Sequence, residues 1–187
     1  IGLEGCIRQI RAETQDGEIN LNTNGSRHAV VKRLCEAGLD SIRISTNSAQ
    51  ATPYAAYYRP TGYTLDDVQE TALVVREHQG LVMLNYFIFP GFTDTQPEFD
   101  ALCEWIEQGG IDMLQLRNLN MDPELYLNVV GAPDCPPMGI DVWLRTLQRR
   151  FPSLMVGYFN PPKSRFDKRQ ATIEMHWLEE ETRRADL

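Results

Sequence analysis

The residues with chemistry to offer stand in short runs of amides and hydroxyls: Asn22-Thr23-Asn24-Gly25, Ser45-Thr46-Asn47-Ser48, Asn85 inside an apolar run, and Gln115-Leu116-Arg117-Asn118. Amides and hydroxyls donate and accept hydrogen bonds without carrying charge. A cavity lined by them suits a polar, zwitterionic or nucleoside-like ligand. No His, paired carboxylate or Ser/His/Asp set accompanies them, so hydrolysis and acid–base chemistry are poorly provided for. The candidate ligand-binding residues are Asn22, Asn24, Ser45, Asn47, Asn85, Gln115 and Arg117.

Several of these residues have a structural alternative. Asn24-Gly25 also suits a turn, because both types tolerate positive φ. Ser48 also suits a helix cap. Asn85 needs either a ligand or a structural hydrogen bond, since a buried amide left unsatisfied costs about 1–3 kcal/mol. Arg117 either binds an anion or pairs with a carboxylate such as Asp122. His28, His78 and His176 fall in or near helical patterns, away from these runs.

The elements that must position these residues alternate regularly. Leu3, Cys6, Ile7 and Ile10 have helical spacing, and Ile19 to Thr23 reads as a strand. Val30, Val31, Leu34 and Cys35 form a helix stripe that Gly38 stops, before a strand at 41–45. Residues 46–63 read as a loop rich in Tyr, Ala and Pro. Thr64 caps the next helix with Asp67 in a capping box, and a strand follows from Leu81 to Ile88. Thr95-Gln96-Pro97-Glu98 reads as a second capping box, opening a helix that Gly109-Gly110 ends. A strand at 111–117, an irregular stretch at 118–139, a helix around Trp143 to Phe151 and a strand at 154–159 complete the pattern, and no fixed-period repeat is visible. Strand–helix alternation with apolar strands means a parallel sheet covered by helices. Ligands of such α/β folds bind beyond the carboxyl ends of the strands, where the polar runs fall. Five helices and five strands make an open or partly closed barrel, well short of eight βα units.

The formal charge of −8, from 18 basic and 26 acidic residues, argues against non-specific nucleic-acid binding. No apolar run reaches the roughly 20 residues of a membrane helix. The four cysteines, Cys6, Cys35, Cys103 and Cys135, are 29, 68 and 32 residues apart, so no CxxC pair exists. Cys6, Cys35 and Cys103 read as small buried hydrophobes in a reducing cytoplasm, and Cys135 as a loop residue.

Four of these runs, in order, resemble a known family. Leu21-Asn22-Thr23-Asn24-Gly25-Ser26 resembles the "TNG" strand of radical S-adenosylmethionine (radical SAM) enzymes. Ile42-Arg43-Ile44-Ser45-Thr46-Asn47-Ser48 resembles their "SLDS" strand, and Leu84-Asn85-Tyr86-Phe87-Ile88-Phe89-Pro90-Gly91 resembles the strand after it. The spacings from Asn22 through Ser45 and Asn85 to Arg117 agree, and the subgroup look is nearest the molybdopterin-biosynthesis cyclase group.

The resemblance covers roughly residues 1–120. It implies a partial (βα) barrel, a [4Fe–4S] cluster held by a CxxxCxxC loop, and cleavage of S-adenosylmethionine to a radical that abstracts a substrate hydrogen. It implies that Asn22, Ser45 and Asn85 line the S-adenosylmethionine site, with Gln115 and Arg117 beside substrate or cofactor. It departs from the family in one respect: no CxxxCxxC and no "GGE" segment occur in these residues. The chain is therefore expected to be the carboxy-terminal portion of such a barrel, lacking amino-terminal βα units. In isolation it is expected to bind no cluster and to be inactive. A cluster-free α/β domain that binds a polar small molecule or a protein partner is the rival expectation. Residues 1–160 are expected to form the barrel and 161–187 a charged extension. A sheet edge left open beside residues 19–23 is expected to pair, giving a homodimer.

Overall fold

The computed structural model describes residues 2–157. The expected tail from 161 onward, and the end of the strand expected at 154–159, lie outside the described residues. Helix α1 (Leu3–Glu13) precedes strand β1 (Asn20–Thr23), helix α2 (His28–Ala37) and strand β2 (Ser41–Thr46). Helices α3 (Ala51–Tyr58) and α4 (Leu65–Glu77) then lead to strand β3 (Leu81–Ile88). Helix α5 (Gln96–Gly109), strand β4 (Met113–Asn118), helices α6 (Pro123–Val130) and α7 (Ile140–Arg150), and strand β5 (Met155–Gly157) follow.

All neighbouring strands are parallel, and their order in space is their order in sequence, β1-β2-β3-β4-β5. Right-handed crossovers in one direction place the helices α2, α4, α5 and α7 on the same face. That is the arrangement of a partial (βα) barrel, as expected from the sequence, rather than of a doubly wound sheet. Successive side chains along a strand point to opposite faces. The helix-covered face carries Ile42, Ile44, Val82, Leu84, Tyr86, Leu114 and Val156, which form one core with Val68, Ala72, Phe99, Leu102, Trp143 and Leu147 of the helices. Tyr86 and Trp143 stack with ring centroids 6.5 Å apart. The opposite face carries a smaller apolar cluster of Leu81, Met83, Met113 and Met155. The polar runs follow this cluster toward the strand ends.

A device repeated at the amino-terminal end of the sheet holds neighbouring units together. Asp40, just before β2, accepts the backbone N–H of Ile19 at 2.7 Å and pairs with Arg11 of α1. Asp112, just before β4, accepts the N–H of Val82 at 2.9 Å and pairs with Arg76 of α4 at 2.7 Å. The backbones repeat as well: Asp40 N–H donates to Ile19 O and Asp112 N–H to Val82 O. Two residues earlier stand Gly38 and Gly110, both left-handed, with φ of 113° and 61°. A Cβ at Gly38 would lie 2.6 Å from Arg11 Cγ, and one at Gly110 2.7 Å from Arg76 Nε. Glycine lets each arginine lie across the turn to its aspartate. The three-residue signature, Gly38-Leu39-Asp40 and Gly110-Ile111-Asp112, is too short to stand out as a sequence repeat.

The structure differs from the sequence reading in four places. Within the expected loop 46–63, residues 51–58 form α3, with Pro53 in the first turn where its missing N–H costs nothing. Within 118–139, residues 123–130 form α6; Asp122 caps it by accepting Leu125 N–H at 3.0 Å, and so does not pair with Arg117. Seven helices, not five, are therefore present among the described residues. Cys6 is exposed rather than buried, because only Ile7 of α1 reaches the core; Leu3 and Ile10 also face outward. Cys35 is half-buried and Cys103 buried. Among the described residues β1 pairs only with β2, leaving its other edge open, and no helix is long and apolar enough to cross a membrane.

Removing one aspartate tests the repeated device. Asp112→Ala leaves Arg76 and the Val82 N–H without their acceptor and lowers stability by about 2–3 kcal/mol in urea denaturation. A loss below about 0.5 kcal/mol, the scale of an ordinary surface change, would show that the device does not hold the sheet.

Candidate ligand-binding site at the strand ends

Register assembles the predicted residues. Ser45, Asn85 and Gln115 are direct partners across β2, β3 and β4, so they form one polar row on the face opposite the helices. Gln115 is buried, with Nε2 3.6 Å from Met83 Sδ. The side-chain oxygen of Asn85 is buried and has no hydrogen-bond partner. An orphaned acceptor of this kind costs free energy until something donates to it.

Asn22 lies one step toward the amino-terminal end, level with Arg43. It is exposed and accepts from Asn20 Nδ2 at 3.2 Å. Asn24 stands beyond β1, exposed, and accepts Ser26 N–H at 3.1 Å, which is the turn alternative. Its neighbour Gly25 does more than turn. It is buried at φ 71°, Thr71 Oγ1 of α4 donates to its carbonyl at 2.5 Å, and a Cβ there would meet Val68 Cγ1 at 2.9 Å. The glycine thus docks the end of β1 onto α4.

One step beyond the polar row stand Asn47, Phe87 and Arg117, the last two being register partners. Asn47 is buried; its Nδ2 donates to Pro53 O at 3.2 Å and to Tyr126 Oη at 3.1 Å, while its Oδ1 has no partner. Since the Pro53 carbonyl can only accept, this amide orientation is fixed. Asn47 therefore joins α3 to α6 above the sheet. There the Tyr57 ring meets Phe87 and Tyr126, each with centroids 5.6 Å apart, and Tyr58 at 4.9 Å. Burial pushes the Tyr126 phenol up to about 12, against the opposing hydrogen bond from Asn47. Burial also raises Tyr58, although the positive charge of Arg117 pulls it back.

A carboxylate that the sequence reading assigned elsewhere anchors this end. Glu98 is fully buried. Instead of closing a capping box at Thr95, it accepts Ser48 Oγ at 2.6 Å, Ala49 N–H at 2.7 Å, Gln50 Nε2 at 2.7 Å and the Tyr86 hydroxyl. Thr95 Oγ1 donates to Phe92 O at 2.8 Å and makes no cap. Ser48, read as a possible cap, is one of the donors to Glu98, and Gln50 is the N-cap of α3. Burial and the Glu98 charge push the Tyr86 phenol well above its usual range. Three of the four donors come from the segment after β2, which sequence spacing alone does not bring to residue 98. His28 opens α2, and His78 ends α4 with Nδ1 2.7 Å from Val74 O, so neither enters the site.

The cysteines were tested against a cluster. Cys6, Cys35, Cys103 and Cys135 lie on α1, α2, α5 and the loop after α6. Burial, aided by Glu36, pushes the Cys35 thiol up to about 11, and burial raises Cys103, which disfavours thiolate. Among the described residues no group of three or more His, Cys, Asp or Glu is placed to hold a metal ion. The described donor set does not fit an iron–sulfur cluster.

Parallel strands in sequence order, with a buried and unpartnered Asn85 oxygen toward their ends, are the arrangement of a partial (βα) barrel. A family model described as the radical SAM superfamily matches residues 4–104, more than half of the chain. The chain belongs to the radical SAM superfamily. Among solved structures, coproporphyrinogen III oxidase (HemN) from Escherichia coli, a radical SAM enzyme, aligns at 14% identity and TM-score 0.51 over 80% of this chain and 35% of its own. A radical SAM methyltransferase from Sphaerobacter thermophilus aligns at 12% identity and TM-score 0.48 over 75% of this chain and 39% of its own. Streptococcus suis SuiB, solved bound to S-adenosylmethionine, aligns at 11% identity and TM-score 0.46 over 76% of this chain and 32% of its own. The chain thus spans less than two-fifths of the length of these structures. No curated protein sequence matches it.

Two measurements test the Glu98 anchor. Glu98→Gln replaces an acceptor of four donors by an amide that must itself donate, and lowers stability by about 2–3 kcal/mol in urea denaturation; an unchanged midpoint would refute the anchor. The folded Tyr86 value lies above that of the unfolded chain, near 10. The contribution of this phenol is therefore whole below pH ~10 and is lost as pH rises further, because only the unfolded state then releases the proton. The melting temperature followed by circular dichroism should fall above that pH, and less steeply in Tyr86→Phe.

Proposed function

We propose that this chain forms the S-adenosylmethionine-binding strand ends of a radical SAM enzyme whose cluster cysteines lie on a part of the polypeptide outside these 187 residues. The observation that carries this reading is the orphaned Asn85 oxygen in the row Ser45–Asn85–Gln115. S-adenosylmethionine offers amino, hydroxyl and adenine N–H donors together with a carboxylate acceptor. Asn85 accepts one of the donors, Ser45 and Gln115 give or take hydrogen bonds beside it, and Asn22 and Asn24 extend the polar lining toward β1. When bound, S-adenosylmethionine supplies the precursor for radical chemistry. The residues of this chain bind and orient it, while the apolar floor of Met83, Met113 and Met155 keeps water from that side. The described cysteines do not fit the cluster, so these residues alone are inactive in this reading. The reduced cysteines also fit a cytoplasmic protein.

Full-length protein purified without oxygen should contain iron and sulfide and bind S-adenosylmethionine by calorimetry. Asn85→Ala should weaken that binding about tenfold, one lost hydrogen bond of roughly 1.4 kcal/mol. A coding sequence without CxxxCxxC upstream would sink this reading.

The scattered cysteines also favour a second reading, a cluster-free domain binding a polar small molecule or a protein partner. Tight binding of S-adenosylmethionine or adenosine to residues 1–187 alone would support it. In either reading the open edge of β1 supports pairing between two copies. Size-exclusion chromatography of the chain at high concentration should show a dimer, and a monomer alone would overturn the pairing.

A further inference from the structure

Two groups without partners and an aromatic cluster lie beyond the polar row. The Arg117 guanidinium is half-buried, and among the described residues it has no carboxylate partner. Tyr58 lies close enough for the Arg117 charge to act on it, and burial keeps this phenol protonated and neutral. A half-buried arginine without a carboxylate partner among the described residues suits an anion, and its planar fork matches a carboxylate. Beside it, across the register, Phe87 meets Tyr57 edge to face at an interplanar angle of 80°. Phe87 is buried against Phe92 and Tyr126, while Tyr57 is half-buried, so the cluster offers a planar ring the outer side of Tyr57. Finally, the buried Asn47 Oδ1 in the same cluster has no donor, although the Nδ2 of the same amide is fully used by Pro53 and Tyr126.

We infer that Arg117, Tyr57, Phe87 and Asn47 form a subsite for a planar aromatic carboxylate, placed two residues along the strands beyond the row that takes S-adenosylmethionine. The carboxylate pairs with Arg117, the ring packs against the outer side of Tyr57, backed by Phe87, and an N–H or O–H on the ring donates to Asn47. The subsite deepens the proposed function by naming the substrate class of the same strand ends, and it rests on that reading.

The test is an NMR titration of the full-length protein with three probes: benzoate, benzamide of the same shape without charge, and cyclohexanecarboxylate with the charge but no flat ring. Benzoate should bind about tenfold more tightly than benzamide and several-fold more tightly than cyclohexanecarboxylate. Arg117→Gln should abolish the first preference, Arg117→Lys should keep part of it, and Tyr57→Leu should abolish only the second. Equal binding of benzoate and benzamide, or a preference that survives Arg117→Gln in a protein with unchanged circular dichroism, overturns the subsite. S-adenosylmethionine affinity measured in the same samples separates the two ideas. If it is intact while the probes are not distinguished, the subsite alone has failed; if it is absent, the strand-end reading has failed.

Discussion

The Glu98 carboxylate is the constraint on which the carboxyl-terminal end of the sheet depends. A buried carboxylate without partners is among the most costly groups a protein can contain. This one is held by four donors from two other parts of the chain. Ser48, Ala49 and Gln50 fix the exit from β2 and the entry into α3, Tyr86 fixes the helix-covered side of β3, and Glu98 itself sits in the first turn of α5. Once these are joined, α3 has one place to lie. Asn47, one residue before Ser48, is then brought under α6. The aromatic contacts among Tyr57, Phe87 and Tyr126 follow from that placement.

The polar row depends on a different kind of constraint, parallel register. Asn85 can face Ser45 and Gln115 only if β3 pairs in step with both neighbours. A slip of one residue would send its amide into the helix-covered core and bring Tyr86 out. The alternation of Val82, Leu84 and Tyr86 with Met83, Asn85 and Phe87 forbids that slip. The unpartnered amide and the pattern that fixes the register therefore lie in the same eight residues of β3.

Much of this was legible in the sequence. The strands and long helices followed from apolar period and from glycine stops at Gly38 and Gly110. The candidate residues followed from their position at strand ends. The two short helices were not legible, because α3 is rich in Tyr and Ala without an amphipathic stripe, and α6 stands in an irregular stretch where only Asp122-Pro123 marks a start. Glu98 was misread for a clear reason. Its spacing from Thr95 satisfies a local rule, and the donors that outcompete the local cap come from about fifty residues away. Cys6 was misread because its helix has helical spacing of apolar residues but rests on the core through Ile7 alone.

The pairs Arg11–Asp40 and Arg76–Asp112 lie at the opposite end of the strands from the polar row and the aromatic cluster. A strand the length of β3 separates the two ends by about 25 Å. At that distance the energetic effects of substitutions add rather than couple. The two ends are accordingly separate thermodynamic accounts within one fold. Strengthening the fastening at the base can therefore offset the cost of altering residues at the rim.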